Sequence, residues 1–443
     1  MALSGIQIYK LLPQTNCKDC GFPTCLAFAM KLASKQVELA LCPHVSEEAQ
    51  AQLSEASAPP VRPIVLKSNG YEVKAGNEVV LFRHEKTFYN QPGLFLRVRD
   101  TESVEDIQAR VAAADEYSVD YVGIELSMGG FAVQANGGDF GRSVSAVTET
   151  SHRPLILIGD AGQLKSGLEA AGEQEKMLLC HADAENWQEM AALAKTHHAA
   201  LAVSAATLDE MVDLTEKVKG AGVDDIVISP QQRSLHGTLE ANTIVRRMAL
   251  KKNFRPLGFP ILSFPGDTDD PAREAYTAAH AIGKYSSFIV MDHFAPETIY
   301  PLLVLRQNLY TDPQKPIQVT PGLYEINDPT PEDPVMVTTN FSITYFSVAN
   351  EIEGSGLPAW LMVTDAEGMS VLTAWAAGKF DSERIAKSIK TFDVESKISQ
   401  KRIVLPGHVA VLSGELEEEL PGWEIKVGPR EAVDIPKFMK EVL

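Results

Sequence analysis

The feature that most constrains the fold of this 443-residue chain is the alternation of short apolar strands with helices from residue 59 onward. Strand candidates such as LILIG (155–159) and SFIVMD (287–292) alternate with helical stretches such as VEDIQARVAAADEY. Because strands that alternate with helices form parallel βαβ units, we expect an α/β protein. Eight or so repeats within residues 59–320 favour a central TIM (β/α)8 barrel, although the strands could also divide between an open sheet and a hairpin. The other strand candidates here are VVLF (79–82), LFLRV (94–98), YVGIEL (121–126), MLLCHA (177–182), ALAVSA (200–205), DIVIS (225–229) and ILSFPG (261–266).

Residues 321–443 repeat the α/β pattern on a smaller scale, which predicts a small doubly wound, flavodoxin-like sheet. In such sheets a ligand lies beyond the carboxyl ends of the strands, on the loops that lead into helices. The strand candidates are VMVTTN (335–340), AWLMVTD (359–365), RIVLPG (402–407) and WEIKVG (423–428), and the loops that follow them are TTNFS, TDAEGMS, PGHV and VGPREA.

Residues 1–58 form a third, different segment, with a short helix predicted at Ile6–Leu12 and helical patterning in CGFPTCLAFAMKLASKQVEL. The stretch SEEAQAQLSEASAPPVRP then ends in Ser, Ala and Pro, which is typical of a linker. We therefore expect three domains: residues 1–58, residues 59–320 and residues 321–443.

Four of the five cysteines lie within the first segment, in the spacing C-x2-C-x4-C-x16-C-P. Four thiolates in so short a span favour one [4Fe-4S] cluster, because soft sulfur ligands stabilise iron in both of its oxidation states. Structural zinc is the alternative, but all-cysteine zinc sites usually place their ligands as two C-x2-C pairs, and the second pair is missing. Cys180, inside the apolar run MLLC, is expected to be a buried core residue. The predicted metal ligands are Cys17, Cys20, Cys25 and Cys42.

Composition narrows the class of protein further. A formal net charge of −19 argues against a nucleic-acid surface, which needs clustered Lys and Arg. The sequence has no apolar stretch of the roughly 18 residues that cross a bilayer, and its start lacks the basic and apolar regions of a signal peptide. Clustered cysteines without an export signal indicate a reducing compartment, so we expect a cytoplasmic protein.

The cysteine segment NCKDCGFPTCLAFAMKLA with LCPHVSEEA closely resembles the N-terminal domain of the large (gamma) subunit of the corrinoid iron-sulfur protein. The similarity extends along the chain through LFRHEKTFYNQPG (81–93), ELSMGGF (125–131) and the segments VTTNFSITYF and TDAEGMSVLTAWAAGKF. That family also has a middle TIM barrel and a C-terminal corrinoid-binding domain.

The resemblance implies a methyltransferase component, a methyl carrier of the reductive acetyl-CoA (Wood-Ljungdahl) pathway. In that family a corrinoid cobalt takes a methyl group from methyltetrahydrofolate with the help of a separate methyltransferase. The methyl-Co(III) form delivers the methyl group to acetyl-CoA synthase, in the complex with carbon monoxide dehydrogenase. The iron-sulfur cluster returns inactive Co(II) to Co(I), and the large subunit forms a heterodimer with a small subunit.

The C-terminal loops suit a large macrocycle with amide arms, because glycines let the backbone approach and hydroxyls can bond the amides. The same residue types also occupy turns for conformational reasons alone. By the family match, the implied contacts are Thr338, Thr344, Gly368, Met369, Ser370, Val371 and Ala432; the loops add Thr339, Asn340, Ser342, Thr373, Gly407, Gly428, Pro429, Arg430 and Glu431.

The sequence lacks the D-x-H-x-x-G motif with which many B12 proteins supply a histidine to cobalt. Asp292 and His293 are adjacent, which is the wrong spacing, and His408 is expected to start a helix or neighbour the cofactor. Because an axial ligand tunes a cofactor's redox potential, its absence would make Co(II) easier to reduce. We therefore expect a base-off corrinoid without a protein ligand, with no catalytic side chain because the chemistry occurs at cobalt.

Three alternatives stay open. Archaeal relatives transfer the methyl group from tetrahydrosarcinapterin, and the sequence does not discriminate the donor. A plain iron-sulfur electron-transfer protein would leave two α/β domains without a task. An enzyme with its chemistry in the barrel is the third, although its candidate residues form no recognisable motif. Those candidates are Glu125, Asp160, His181, Ser204, Asp292 and His293.

Overall fold

A computed structural model describes residues 5–33, 36–46, 48–50, 53, 59–121, 123–172, 174–312 and 317–443. The predicted linker, residues 46–63, lies partly outside the described residues, and so does the predicted boundary at residue 58. Among the described residues, none of the helices combines the length and apolar character needed to cross a bilayer.

Seventeen strands are described, and they form one closed barrel, one five-stranded sheet and two hairpins. The strands are β1 (Ile64–Ser68), β2 (Tyr71–Ala75), β3 (Gly93–Arg99), β4 (Ser118–Tyr121), β5 (Ile124–Ser127), β6 (Gly130–Gln134), β7 (Leu155–Ile158), β8 (Leu178–Ala182), β9 (Ala200–Ala205), β10 (Ile226–Pro230), β11 (Ile261–Ser263), β12 (Ser286–Met291), β13 (Gly322–Ile326), β14 (Val335–Thr339), β15 (Ala359–Thr364), β16 (Arg402–Leu405) and β17 (Glu424–Val427).

Helices follow most of these strands, and short 3-10 turns span Leu39–Leu41, Arg255–Leu257, Gly407–Leu412 and Ala432–Asp434. The α-helices are α1 (Gly5–Leu11), α2 (Cys25–Ala33), α3 (Val104–Glu116), α4 (Phe140–Thr150), α5 (Ala161–Ala170), α6 (Trp187–Thr196), α7 (Leu208–Gly220), α8 (Leu235–Lys252), α9 (Pro271–Gly283), α10 (Pro296–Leu309), α11 (Ser342–Ser355), α12 (Val371–Ala376), α13 (Ser382–Thr391), α14 (Val394–Lys397), α15 (Ser413–Glu419) and α16 (Ile435–Glu441).

The barrel is a TIM barrel of eight parallel strands in chain order, β3-β6-β7-β8-β9-β10-β11-β12, with β12 closing onto β3. Polar residues in the loops after the strands cap the helices that follow. For example, Asp160 and Thr207 form capping boxes with Gln163 and Glu210. Buried apolar residues fill the lumen, so the barrel has a packed core. This confirms the predicted barrel.

An antiparallel hairpin of β1 and β2 precedes the barrel and packs its buried face on the lumen. Leu66 of β1 belongs to the same apolar cluster as Phe95 and Phe288 of the barrel strands. The hairpin therefore extends the barrel core rather than forming a separate layer.

The C-terminal sheet has the order β13-β15-β14-β16-β17. The last four strands in this order are parallel, and β13 is an antiparallel edge strand. Successive residues of β14 face opposite sides of the sheet, since Val337 belongs to one apolar cluster and Met336 to the other. Helices cover both faces, and the sheet is buried between them.

Two of the strand predictions in the barrel region are wrong. The run VVLF (79–82) is not a strand, and YVGIEL (121–126) lies in the β4–β5 hairpin instead of the barrel. The second barrel strand is β6, which begins at Gly130. Position 130 requires glycine, since a Cβ there would lie 2.1 Å from the carbonyl oxygen of Pro154. The glycine pair at positions 129 and 130 resembles a turn signal, so the sequence did not predict a strand that begins there.

Smaller elements also differ from expectation. Strands β1, β2 and β13 are additional to the predicted ones, and the segment HVAVLSGELEEEL forms a 3-10 turn followed by α15. The chain separates into two compact units, of which the first holds residues 1–118 and 127–310. The second holds residues 119–126 and 311–443, so the β4–β5 hairpin belongs largely with the C-terminal sheet.

Candidate functional site

A cavity of about 320 Å3 lies at the carboxyl ends of the parallel strands of the C-terminal sheet. Its walls come from the ends of β14 and β16, the loop after β17, and the first turns of α11, α12 and α16. This is the position at which doubly wound sheets bind ligands.

The structure brings a large part of the predicted cofactor-binding set together around this cavity. Residues from three separate loops meet there although up to about ninety positions separate them in sequence. The predicted residues that line the cavity are Thr338, Thr344, Ser370, Val371, Gly428, Pro429, Arg430, Glu431 and Ala432.

The remaining predicted residues are not part of the cavity lining. Met369 packs against an apolar core cluster, Thr373 bonds Ser370 through their hydroxyls (3.0 Å), and Ser342 donates its hydroxyl to the carbonyl of Ile317. The predicted residues outside the lining are Thr339, Asn340, Ser342, Gly368, Met369, Thr373 and Gly407.

Two threonines at the end of β14 carry hydroxyls that need a partner. Thr338 and Thr339 are fully buried, and neither Oγ1 has a hydrogen-bond partner among the described residues. A buried hydroxyl without a partner lowers stability by about 1–3 kcal/mol, so such groups usually form a hydrogen bond with protein, ordered water or a ligand. Because Thr338 lines the cavity, a ligand with polar groups could satisfy its hydroxyl.

The far wall of the cavity depends on a close approach of two loops. A Cβ at Gly407 would lie 2.5 Å from the carbonyl oxygen of Gly428, and the Gly407 N–H donates to the carbonyl of Pro429 (2.9 Å). Only glycine permits this approach, which holds the loops after β16 and β17 together.

His408 also lines the cavity, at the start of the 3-10 turn, as the sequence suggested for a cofactor neighbour. Its Nε2 lies 3.7 Å from Oε1 of Glu431, which is exposed on the opposite loop. The imidazole is therefore turned toward a carboxylate.

Sequence reasoning missed the apolar half of the lining. On α11, Ile343 and Ser347 stand four residues apart, and so do Thr344 and Val348, which is the spacing of side chains on one helix face and could have identified these residues. The missed lining residues are Met336, Val337, Ile343, Ser347, Val348, Leu372, Val404, Leu405, Pro406 and Ile435.

Three of the four predicted metal ligands share one small apolar cluster near α1 and α2. Cys25 is buried within that cluster, and Cys20 and Cys42 pack against it. Cys17 is exposed, and none of the five cysteines forms a disulfide. The fold thus gathers cysteines that are up to twenty-two positions apart in sequence.

The backbone around Cys17 and Cys20 follows an unusual path. Asn16 and Lys18 have positive φ angles of 49° and 70°, and Gly21 has 81°. Successive turns of this kind direct N–H groups into a concave space that suits anions and iron-sulfur clusters. Asn16 also accepts the Cys25 N–H at Oδ1 (2.8 Å), which joins the loop to the start of α2.

A polar pair stands beside the first cysteine. Nε2 of His44 lies 2.6 Å from Oδ2 of Asp19, and the ligand atoms of Cys17, Asp19 and His44 lie within 4.8 Å of one another. His44 follows the fourth cysteine by two positions, so the pair connects the two ends of the cysteine segment.

Several barrel candidates have structural partners. Asp160 caps α5, and Asp292 forms an ion pair with the buried Arg97 (2.6 Å). His293 bonds the buried carboxylate of Glu274 through Nδ1. These contacts account for the polar residues at the strand ends as parts of the scaffold.

The other barrel candidates lie in three different strands, β5, β8 and β9. His181 packs its ring against Phe264, with 5.2 Å between centroids, and burial lowers its pKa to about 4. Ser204 is buried in β9, Glu125 is exposed in β5, and Cys180 is fully buried as predicted.

A cysteine-rich N-terminal segment, a TIM barrel and an α/β sheet with a cavity at its strand ends together define a multidomain α/β protein with a candidate cofactor site. The family model described as CO dehydrogenase/acetyl-CoA synthase delta subunit matches residues 63–439, and one described as "Putative Fe-S cluster" matches residues 12–44. The second match contains all four N-terminal cysteines.

Relatives match along the whole chain. The chain is 41% identical to the corrinoid/iron-sulfur protein large subunit of Moorella thermoacetica, over 99% of both chains. It is 32% and 33% identical to the acetyl-CoA decarbonylase/synthase complex gamma subunits of Methanopyrus kandleri and Archaeoglobus fulgidus, over 99% of this chain and 98% of each relative. The chain therefore belongs to the family of corrinoid/iron-sulfur protein large subunits and their archaeal gamma-subunit counterparts.

Proposed function

We propose that this chain is a methyl carrier that holds a corrinoid in the C-terminal cavity and a [4Fe-4S] cluster on the four N-terminal cysteines. The observation that carries the proposal is the cavity itself. It lies where the sequence predicted a cofactor site, and the buried Thr338 hydroxyl in its wall lacks a partner among the described residues.

The topology of the C-terminal sheet supports a flavodoxin-like corrinoid domain. Numbered in chain order, the parallel strands β14, β15, β16 and β17 have the spatial order 2-1-3-4. This is the beginning of the flavodoxin-like order 2-1-3-4-5, with β13 added at the edge. We also propose the three domains that the sequence predicts, residues 1–58, 59–320 and 321–443, with residues 119–126 and 311–320 packed in the compact unit of the third.

The residues of the cavity fit such a group. Thr344, Ser347 and Ser370 offer hydroxyls that can bond amide arms, and the exposed apolar side chains of Ile343 and Leu372 flank the opening. A bound corrinoid would supply a cobalt that accepts and donates a methyl group. The chain would hold and orient that group and exclude water from it.

We further propose that the chain receives its methyl group from methyltetrahydrofolate through a methyltransferase and delivers it to acetyl-CoA synthase. The Moorella relative is named a large subunit, which supports a small-subunit partner, and the archaeal relatives are named subunits of an acetyl-CoA decarbonylase/synthase complex. The higher identity to the Moorella protein, 41% against 32–33%, favours the folate donor over tetrahydrosarcinapterin.

Metal analysis of the purified protein tests the proposal. We expect about one cobalt and four irons per chain. Iron without cobalt would instead support an electron-transfer protein, and zinc in place of iron would contradict both.

A cluster held by the four cysteines would relay one electron from an external reductant to the cobalt, which would return it from Co(II) to Co(I). A Cys20→Ala variant should still accept a methyl group when Co(I) is supplied chemically, yet it should not recover after oxidation. Loss of methyl transfer even with Co(I) in place would mean that the cluster is structural or directly catalytic.

The cobalt is proposed to have no protein ligand. His408 is a histidine of the cavity lining, so it is the residue to examine first. The EPR spectrum of the Co(II) form should lack nitrogen splitting from the protein. A splitting that disappears in His408→Ala would show that this histidine binds the metal.

A further inference from the structure

Asn340 is buried at the end of β14, next to the cavity, and its side-chain amide is fully hydrogen-bonded within the protein. Its Oδ1 accepts the N–H groups of Ala366 (2.9 Å) and Gly368 (3.0 Å). Its Nδ2 donates to Oδ1 of Asp365 and to Oε1 of Gln318, each at 3.2 Å. An asparagine amide has two donors and two acceptor sites, so no capacity is left for a ligand.

The first pair of these bonds holds the loop between β15 and α12. Glu367 and Gly368 have positive φ angles of 55° and 73°, a conformation that is costly for a residue with a side chain such as Glu367. Ser370 and Val371, which line the cavity, follow after Met369. The side chain of Asn340 therefore fixes the loop that places this wall of the cavity.

Of the second pair, the bond to Asp365 reaches the same β15–α12 loop, and the bond to Gln318 reaches the segment Ile317–Val319, which enters the C-terminal sheet. The Val319 N–H donates to the carbonyl of Asn340 (2.9 Å), and the carbonyl of Ile317 accepts both the N–H and the hydroxyl of Ser342. A Cβ at Gly368 would lie 2.6 Å from the Gln318 side chain, so the segment is packed directly on the cavity loop.

We infer that Asn340 is a positioning residue that connects two loops beside the cavity to the entering segment Ile317–Val319. These are the loop from β14 to α11 and the loop from β15 to α12. This rests on the proposed corrinoid site. Retention of the cofactor then depends on how the chain enters the domain, although neither Asn340 nor this segment lines the cavity.

The test is an Asn340→Ala variant of the full-length protein with its corrinoid. Its rate constant for corrinoid release should rise about tenfold or more over wild type, since several bonds to one buried amide are lost together. In protein freed of corrinoid, the amides of Ala366 and Gly368 and those of residues 317–319 should exchange hydrogen at least about tenfold faster.

An Asn340→Asp variant separates the two halves of the network. The carboxylate keeps the acceptor for Ala366 and Gly368 but loses the donor to Gln318 and faces Asp365. Exchange should therefore stay slow at Ala366 and Gly368 and accelerate at residues 317–319.

Asn327→Ala is the matched control, because Asn327 donates to the carbonyls of Ile352, Glu353 and Leu357 away from the cavity. It should destabilise the domain without faster corrinoid release. Equal release from both alanine variants would overturn the inference and leave Asn340 a general structural residue. If wild-type protein binds no corrinoid, the proposed function fails, whereas the exchange measurements still decide whether Asn340 holds both segments.

Discussion

At the scale of single residues, the informative groups are buried polar atoms, because each has a definite free-energy cost unless it finds a partner. Thr338 has no partner for its hydroxyl among the described residues, whereas Asn340 satisfies every group of its amide. The sequence predicted both as cofactor contacts. It could not separate them, because the partners of Asn340 come from segments on both sides of β14 in sequence.

Thr338→Val should have opposite effects with and without corrinoid. The cofactor-free protein should gain about 1 kcal/mol in free energy of unfolding, because a buried unpartnered hydroxyl is removed. Corrinoid release should accelerate about fivefold, the equivalent of one hydrogen bond. Denaturation of the cofactor-free protein and release kinetics measure the two effects.

Thr215→Val is the control for this substitution. The buried hydroxyl of Thr215 already donates to the carbonyls of Val212 and Pro256. Its loss should lower stability by about 1 kcal/mol and leave corrinoid release unchanged. A stability loss in Thr338→Val as well would mean that its hydroxyl is satisfied within the protein.

His181 should make the stability of the barrel depend on pH. Burial lowers its pKa to about 4 in the folded state, and Arg233 adds to this effect against Asp267 and Asp183. Between about pH 6.5, the pKa of histidine in the unfolded chain, and about pH 4, the unfolded chain binds more protons than the folded one. The free energy of unfolding therefore falls as the pH falls through this range. The total loss is on the order of 3 kcal/mol.

Denaturant unfolding of the barrel at several pH values between 7 and 4, in wild type and His181→Gln, measures this contribution. The difference between the two proteins should shrink or reverse as the pH falls through this window. Parallel pH profiles would show that His181 titrates normally in the folded barrel.

At the scale of elements, most strands and helices could be predicted because their apolar periodicity matches their burial. The exceptions have local causes. YVGIEL has enough apolar residues for a barrel strand, yet β4 and β5 are largely exposed or half-buried. Strand β6 begins at a glycine that the packing of Phe95 requires, and glycine at a strand start resembles a turn.

The turn at Gly407 offers an element-scale prediction. Gly407→Ala should force the loops after β16 and β17 apart and cost about 2 kcal/mol of domain stability, with weaker corrinoid retention. Thermal unfolding and corrinoid release would measure both. Gly414→Ala in α15, where the added Cβ meets open space, should raise stability by about 0.5–1 kcal/mol and serves as the control.

At the scale of the whole molecule, the cysteine segment and the cavity have separate apolar cores. A chain that begins at Pro59 should therefore lose its iron and keep its corrinoid. Cobalt and iron analysis of this shortened protein, beside the full-length chain, measures both metals. Loss of cobalt together with iron would show that the N-terminal segment is needed to hold the corrinoid.

The β4–β5 hairpin bears on how this protein could be recombined with its relatives. Residues 119–126 belong to the compact unit of the C-terminal sheet, although the barrel sequence continues on either side of them. A Cβ at Gly123 would lie 3.7 Å from the ring of Phe346 in α11. A chimera that exchanged only the C-terminal third would pack the β4–β5 hairpin of one protein against α11 of the other. An exchange of this domain therefore has to include two separate stretches of the gene, those for residues 119–126 and 311–443.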